Sequence, residues 1–418
     1  MDKLTLSEAQ IILLKDKLNY LKGKYKINSP DFLDLINNYI SDFKGHDFSK
    51  EIVDIVMDNE IVILEYSVED MLRYLPSIEN LKYDGSSAWC KNIKQIIIDV
   101  NEWNTQRGNI TNYSFKGEHF SVKFVRDPFY IGIAAIIQGI ADDNFFITPC
   151  SRYIAAEFEY FNEEVLSQED ECRILKQLLY TISVETGTPL KIGQFFVTDD
   201  NAYDFDDDHE NEIRKQEVCY SPEDILSYTK AMDYFSKAIE IEDEEIKYLY
   251  FYKIIEYFSP VASKKGAYNL LNLRLDALKI KNRDQQYLES IFQLTRDYDM
   301  SLKDKELATT VLRECVDSLE LFDALPLSIQ MQIKKRVHVQ KDMVITDVKA
   351  GDKENIEKEI GQILYSTRNQ IVHAKSNYNP TGYECKSEDL EQLNFFMKKL
   401  CQCLIIWNNR QPDEYRLN

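Results

Sequence analysis

The scarcity of glycine and proline is the feature that most constrains the fold of this chain. Among 418 residues there are only 13 Gly and 10 Pro, and these are the residues that interrupt helices and strands. We therefore expect long elements, chiefly helices. With 44% hydrophobic and 12% aromatic residues, the chain can bury a sizeable core, and its length suits two domains.

The sequence shows no sign of a membrane or a metal. No apolar run approaches the roughly 20 residues of a membrane-spanning helix, and no signal-peptide pattern opens the chain, so we expect a cytoplasmic protein without a membrane partner. Of eight scattered cysteines, only Cys401 and Cys403 lie close together. Without a second pair or a nearby histidine they indicate reduced thiols, and no metal or cofactor is expected.

The first part of the chain mixes helical and strand patterns. Two helices are predicted within residues 1–45, and two more at about 151–166 and 168–185. Short β-branched and aromatic segments predict strands, and these are 61–66, 96–98, 120–125, 145–147 and 194–197. The pattern predicts an α+β N-terminal domain over residues 1–198, which we interpret as a sensor or regulatory domain.

An acid-rich segment follows this region. Residues 199–218 hold five acids between positions 204 and 210 and show no apolar period, which predicts a solvated linker. A calcium-binding loop is the alternative. It would need glycine where Asp204 stands and an oxygen ligand where Tyr203 stands, so we favour the linker.

After the linker every pattern predicts helices, so residues 219–418 are expected to form an all-α domain. The first helix should open at Ser221-Pro222, because serine is a favoured cap and proline a favoured first helical residue. A tyrosine-rich helix containing Glu256 should stop at Ser259-Pro260. Further helices are predicted at 267–280, 284–297, 302–321, 354–375 and 387–407.

The helix at 354–375 carries the residues that suggest chemistry. At 3.6 residues per turn its core face holds Ile356, Ile360, Ile363, Leu364, Thr367 and Ile371, and the opposite face holds Gln362, Tyr365, Ser366, Asn369 and His373. Asn369 and His373 are one turn apart and therefore adjacent. The long side chain of Arg368 lies between the faces and can swing towards the polar one.

An arginine and a histidine are sufficient for RNA scission without a metal. Histidine titrates near neutrality and can move protons at the 2′-hydroxyl or the leaving 5′-oxygen. The planar, always charged guanidinium of arginine matches phosphate oxygens and can hold the charge that gathers on the phosphorane. R-x4-H spacing alone is a weak signal, because it recurs by chance. A plain surface role for His373 stays open.

The segment Arg368-Asn369-Gln370-Ile371-Val372-His373 resembles the R-[polar]-x3-H motif of the HEPN superfamily of helical ribonucleases, and the resemblance covers about residues 219–418. It implies a HEPN-like helical bundle in which Arg368 and His373 are catalytic and Asn369 is the supporting polar residue.

Two further residues gain candidate roles from the resemblance. The tyrosine-rich helix looks like the aromatic helix of the Apea-like HEPN branch, and Glu256 would orient the site or be an ordinary surface glutamate. Where the family often has a small residue after the histidine, Ala374 and then Lys375 follow. Lys375 would touch a phosphate or lie in solvent at the helix end.

The resemblance implies a metal-independent endoribonuclease that cleaves RNA through 2′-hydroxyl attack and works as a homodimer with a shared cleft. Proteins of this kind are commonly toxins or effectors of antiviral defence against phage, so an unknown activator or phage trigger is expected to act through the N-terminal domain. The net charge of −21 requires RNA to be bound locally. Local cations are Lys334-Lys335-Arg336, His338, Lys341 and Lys264-Lys265.

Two alternatives stay open. CRISPR-associated ribonucleases activated by cyclic oligoadenylates end in the same motif, but they begin with a strand where this chain begins with helices. The other alternative is a non-catalytic HEPN module that dimerises or binds nucleotide, with Arg368 as a structural salt-bridge partner. Substitution of His373 separates an enzyme, which loses cleavage but not melting temperature, from a structural role.

Overall fold

The computed structural model describes the greater part of the chain, in two compact units of residues 1–225 and 226–418. The described residues are 4–39, 47–57, 62–100, 110–140, 153–162, 165–195, 217–276, 304–339, 349–373, 379–413 and 415–417, with 285, 286, 289 and 293. Several predictions fall outside these residues wholly or in large part. They are the strand at 145–147, the linker at 199–218, the helix at 284–297, and Lys341, Ala374 and Lys375.

The first unit is built on two β-sheets with helices beside them. Its helices are α1 (Glu8–Tyr25), α2 (Pro30–Tyr39), α3 (Val68–Tyr74), α4 (Phe129–Ile137) and α5 (Gln168–Thr186). Its strands are β1 (Ile27–Asn28), β2 (Ile52–Met57), β3 (Val62–Ser67), β4 (Lys82–Tyr83), β5 (Ser87–Cys90), β6 (Ile93–Val100), β7 (Tyr113–Lys116), β8 (Phe120–Arg126), β9 (Ile154–Tyr160), β10 (Leu190–Ile192) and β11 (Val218–Tyr220).

The larger sheet has eight strands in the order β11-β7-β8-β9-β6-β5-β4, with β10 also paired to β6. The pairing of β11 with β7 is parallel, whereas β7, β8, β9 and β6 pair antiparallel in turn. The smaller sheet is antiparallel in the order β1-β2-β3.

Both faces of the larger sheet are covered, as strand β6 shows. Ile93 and Ile97 contribute to a core cluster that includes residues of α1, α3 and α4. Ile96 and Ile98 point the other way, into a second cluster with residues of α5. A strand that is buried on both faces has a nearly continuous apolar sequence.

A buried carboxylate, Glu157 of β9, lies within the first of these layers. It accepts hydrogen bonds from the Tyr74 hydroxyl at 2.8 Å and the Gln95 amide at 2.6 Å, and Arg73 Nη2 lies 2.6 Å from its Oε1. The amide oxygen of Gln95 accepts from the backbone N–H of Tyr130 at 2.7 Å, at the start of α4. Burial, and then the charge of Glu157, raise the pKa of the Tyr74 hydroxyl, which keeps it a donor. We call these five residues the Glu157 cluster.

The second unit is helical in its described residues. Its helices are α6 (Lys230–Glu240), α7 (Glu244–Asp276), α8 (Asp304–Cys315), α9 (Leu327–Val337), α10 (Ala350–His373) and α11 (Leu390–Asn409). Helix α8 packs on both α7 and α10, and α11 packs on α7. A Cβ at Gly361 of α10 would lie 2.2 Å from Thr309 Oγ1 and 2.8 Å from its backbone nitrogen. This glycine therefore permits the close approach of α8 and α10.

The predicted fold class, an α+β N-terminal domain followed by an all-α HEPN-like bundle, is wrong. Helices hold 59% of the described residues and run through both units, and the eight-stranded sheet is mixed. Helices α3 and α4 interrupt the succession of strands because they cover one face of the larger sheet. Strand β11, at the start of the segment expected to be all-α, pairs with β7 of the first unit.

Several elements also differ from their predictions. The segment expected as a helix at 151–166 contains strand β9. Of the strand expected at 194–197, residues 194 and 195 are described and lie outside a strand, whereas β10 spans Leu190–Ile192. Ser221 forms a turn with Asp224, whose carboxylate accepts from the Ser221 hydroxyl at 2.6 Å. The helix expected to begin there starts at Lys230. None of the described helices is long and apolar enough to cross a membrane.

Candidate active site on helix α10

Helix α7 passes through the expected stop at Ser259-Pro260 and continues to Asp276. Proline lacks the N–H that would bond the carbonyl four residues earlier, which belongs to Glu256. The Ser259 hydroxyl donates to that carbonyl at 2.9 Å. The Glu256 carbonyl thus accepts a hydrogen bond from a side chain in place of the missing N–H, and α7 continues beyond Pro260.

Helix α10 packs mainly on α8 and also contacts α7. Ile356, Ile360, Ile363, Leu364 and Thr367 are buried, as the periodicity predicts, whereas Ile371 is half-buried. The buried Tyr248 of α7 donates its hydroxyl to the Leu364 carbonyl at 2.8 Å. This hydrogen bond fixes the position of α10 along the axis of α7.

One turn beyond Leu364, Arg368 reaches across to α7. Its Nη2 lies 3.5 Å from Glu256 Oε1, and its Nη1 donates to Asn369 Oδ1 at 3.1 Å. The Arg368 side chain is 28% exposed and that of Glu256 39%. The structure therefore brings together Arg368, Asn369 and Glu256, three of the predicted site residues.

His373 is the last residue of α10 and is exposed. It lies one turn after Asn369, on the same side of the helix. Its neighbour Val372 is 48% exposed, although it is apolar. The end of α10 thus presents a titratable ring and an apolar side chain to solvent, one turn from the Arg368 contacts.

The predicted polar face of α10 is covered in its middle. Ser366 is buried, and its hydroxyl oxygen lies 2.9 Å from the Gln362 amide and 3.3 Å from the Thr381 hydroxyl. Thr367 accepts from the backbone N–H of Cys385 at 2.9 Å. The segment containing Thr381 and Cys385 therefore packs on α10, and the accessible part of the face begins after Ser366.

The guanidinium of Arg368 has the donors that a phosphate would need. It carries five N–H groups, and the contacts with Asn369 and Glu256 occupy two of its nitrogens. Its partial exposure lets an anion reach the remaining donors. Glu256 holds the group in place but also offsets its charge, so a phosphate would compete with this carboxylate.

The basic end of α9 is used within the unit. Arg336 lies 3.1 Å from Glu359 of α10, donates to the Gly382 carbonyl at 2.8 Å and stacks 3.7 Å from the Tyr383 ring centroid. His338 ends α9 in a left-handed backbone conformation. This end of α9 therefore ties α10 to the segment around Tyr383.

A pocket in the first unit was not predicted from the sequence. It measures about 230 Å³, and its lining includes Trp89, Lys91, Lys94, Tyr160 and Glu171. Lys94 pairs with the buried Glu171 at 2.5 Å and lies 5.3 Å from the Trp89 ring centroid. The tight turn between β5 and β6 was the available signal, since it places Trp89 opposite Lys94. Within the described parts of the chain, no three His, Cys, Asp or Glu side chains are grouped as metal ligands would be.

Comparison with known proteins finds no family model, no curated protein and no solved structure that matches this chain. The likeness of the α10 segment to the HEPN motif therefore rests on the residues of that segment alone.

Proposed function

We propose that this protein is a metal-independent endoribonuclease whose active site is centred on Arg368 and His373. The observation that carries the proposal is the geometry of Arg368. A partly exposed guanidinium is held between Glu256 and Asn369, five residues before the exposed histidine that ends the same helix, and Asn369 itself lies one turn before that histidine. The resemblance to HEPN ribonucleases supports the same assignment.

The chemistry follows from the two side chains. The 2′-oxygen of a ribose attacks the adjacent phosphorus, a bond forms between them, and the bond from phosphorus to the 5′-oxygen breaks. A base takes the 2′-hydroxyl proton and an acid gives a proton to the leaving 5′-oxygen, and His373 can serve in either step. Arg368 stabilises the charge on the phosphorane oxygens. The products are a 2′,3′-cyclic phosphate and a 5′-hydroxyl.

The proposal includes a homodimer, since two proton transfers are required and each chain supplies one His373. The exposed Val372 beside it supports an interface at this end of α10. A dimer that shares one cleft would lose specific activity on dilution below its dissociation constant. Full activity from a protein that is monomeric at every concentration would contradict the shared cleft.

Control by the first unit is also part of the proposal. A ribonuclease that acts on cellular RNA has to be restrained, and the pocket lined by Trp89 and Lys94 is a place where a small activator could bind. The role in defence against phage rests on the family resemblance alone.

Alanine substitutions in α10 test the proposal. Arg368→Ala and His373→Ala should each lower RNA cleavage at least about a hundredfold, and the double variant should be no worse, because both act on one transition state. Lys358→Ala is the matched control, since it removes an exposed cation from the same helix ten residues before Arg368. Melting temperatures should stay close to that of the wild type in all four variants.

Two results would overturn the assignment. Cleavage that survives both substitutions places the activity elsewhere. A large fall in melting temperature for His373→Ala would indicate the structural role that a non-catalytic module requires.

A further inference from the structure

A group of lysines and aromatic rings lies at one end of the second unit. It consists of Lys264, Lys265, Tyr268, Trp407 and Tyr415, which we call the basic-aromatic surface. In a chain with a net charge of −21, such a local concentration of cations is the kind of place where a polyanion could bind.

Lys264 lies between two tyrosine rings. Its Nζ is 5.5 Å from the ring centroid of Tyr268 and 5.9 Å from that of Tyr415. The two rings meet edge to face, with centroids 5.9 Å apart. Tyr268 is 40% exposed and Tyr415 is half-buried, so ring surface remains accessible.

Lys265 occupies a similar position beside Trp407. Its Nζ lies 5.1 Å from the indole ring and donates to the Gln411 side chain at 2.9 Å. The indole also packs edge to face on the buried Phe258 of α7. The surface is therefore anchored on the core of the unit and is held in a fixed arrangement.

Further cations adjoin this surface. Arg410 is exposed at the end of α11, and Arg416 pairs with the exposed Asp413 at 3.3 Å. Glu314, the acid next to the Cys315 that Lys265 approaches, is engaged by Arg313 at 3.2 Å. These two acids, Asp413 and Glu314, thus each have an arginine partner.

The position of the surface links it to the candidate active site. Lys264 follows Glu256 by eight residues of α7, which is about 12 Å along a helix. A strand bound over the surface would therefore start within a few nucleotides of Arg368.

We propose that the basic-aromatic surface binds single-stranded RNA and holds the substrate beside Arg368. Lysines contact the phosphates, and unpaired bases stack on the tyrosine rings, a combination that is typical of sites for single strands. Duplex RNA keeps its bases stacked inside the helix, where they cannot stack on the tyrosine rings. An acidic protein could pair with the lysines but would not use the accessible ring faces. The inference rests on the proposed function for the choice of RNA, but binding does not require cleavage.

Binding should be measured with the full-length His373→Ala protein and a fluorescent 12-nucleotide single-stranded RNA, by anisotropy over a series of salt concentrations. Lys264→Gln should weaken binding and lower the slope of log affinity against log salt by about 0.7. Tyr268→Leu should weaken binding about tenfold, the effect expected for one lost base stack, and should leave the salt slope unchanged.

The first unit supplies a matched control. Lys24 lies 5.1 Å from the Tyr20 ring centroid and 5.0 Å from that of Tyr25, which repeats the arrangement of Lys264. Lys24→Gln should leave RNA affinity and salt slope unchanged. If it weakens binding as much as Lys264→Gln does, the effect is one of overall charge and the proposed surface is wrong.

Four further outcomes decide the ligand and separate the two proposals. An abasic strand that binds as tightly as the RNA, or polyglutamate that displaces the RNA at equal charge, would overturn single-stranded RNA as the ligand. If Lys264→Gln and Tyr268→Leu cleave RNA at the wild-type rate and with the wild-type KM, the proposed binding surface is wrong and the ribonuclease proposal is unaffected. If RNA binding depends on Lys264 and Tyr268 but the wild-type protein cleaves no RNA, the binding surface is supported and the ribonuclease proposal is wrong.

Discussion

The two units each contain an arginine–glutamate pair beside a side-chain amide, and the two pairs differ in what surrounds the carboxylate. Glu157 has no exposed side-chain surface, and Arg73, Tyr74 and Gln95 all contact it. Glu256 is 39% exposed and meets Arg368 at the longer distance of 3.5 Å.

The carboxylate of the first pair is closed to solvent and ligands, whereas the carboxylate of the second pair is partly accessible. Water and ligands cannot reach a carboxylate that protein donors enclose, so the Glu157 cluster can only hold β9, α3 and α4 together. An exposed pair contributes little to stability, and its arginine can exchange a carboxylate for a phosphate. The first pair therefore stabilises the fold, whereas the second is accessible enough for the role in catalysis that we propose.

The largest effect on stability is expected at Glu157. Glu157→Ala leaves the Tyr74 hydroxyl and the Gln95 amide without their buried acceptor and removes one of the two carboxylate partners of Arg73, the other being Glu159. It should cost about 3–5 kcal/mol of unfolding free energy. Glu256→Ala is the matched comparison and should cost less than about 1 kcal/mol. Urea unfolding followed by circular dichroism measures both, and equal costs would break the distinction between the pairs.

Activity should show the opposite order. Glu256→Gln keeps the shape of the side chain but removes the charge that positions Arg368, and should lower kcat about tenfold or more, because small displacements of a catalytic group are costly. Arg368→Lys should not restore activity, since an ammonium lacks the planar fork. Unchanged kcat in Glu256→Gln would show that Glu256 is an ordinary surface glutamate.

The sequence predicted elements where local periodicity and burial agree. Leu14 and Leu18 recur at helical spacing and are buried in α1, and Ile356 and Ile360 are buried in α10. The segment 151–166, for which the sequence predicts a helix, contains strand β9 instead, although Ala155, Ala156 and Glu157 favour helices. Burial on both sheet faces overrode that propensity and also removed the alternation that marks a half-buried strand.

The remaining errors come from side-chain contacts that the periodicity of the sequence does not show. Pro260 was expected to end α7, yet a hydroxyl one residue away satisfies the carbonyl of Glu256. Ser366 lies on the polar side of α10 but is covered by Thr381. Spacing indicated Arg368, Asn369 and His373 as a candidate site, while the contact between Glu256 and Arg368 spans 112 positions and was expected only through the family resemblance.

A smaller effect on activity is expected at Asn369. Asn369→Ala removes one acceptor at 3.1 Å from Arg368 and neither a charge nor a proton carrier, so cleavage should fall only severalfold. The stability should stay within about 0.5 kcal/mol of the wild type, because the side chain is partly exposed. If Asn369→Ala is as damaging as His373→Ala while Arg368→Ala is silent, the roles along α10 have to be reassigned.

The smallest effect is a change in pH dependence at Glu357 of α10. Burial raises the pKa of this carboxyl, although the Ser318 hydroxyl donates to it at 3.1 Å. A raised folded-state pKa favours the folded state below the ordinary pKa of glutamate, and this contribution is lost as pH rises through the folded value. Glu357→Gln keeps the acceptor without the charge. Its melting temperature, relative to the wild type, should be higher at about pH 7 than at about pH 4, and the reverse order would contradict the shift.

The most direct measurement of the central claim is the incubation of purified protein with single-stranded RNA in excess EDTA, with analysis of the product ends. The account predicts cleavage in EDTA, products that end in 2′,3′-cyclic phosphate and 5′-hydroxyl, and no cutting of the matching DNA, which lacks the 2′-hydroxyl nucleophile. Cleavage that stops in EDTA and returns with magnesium, or equal cutting of DNA, would contradict the mechanism assigned to Arg368 and His373.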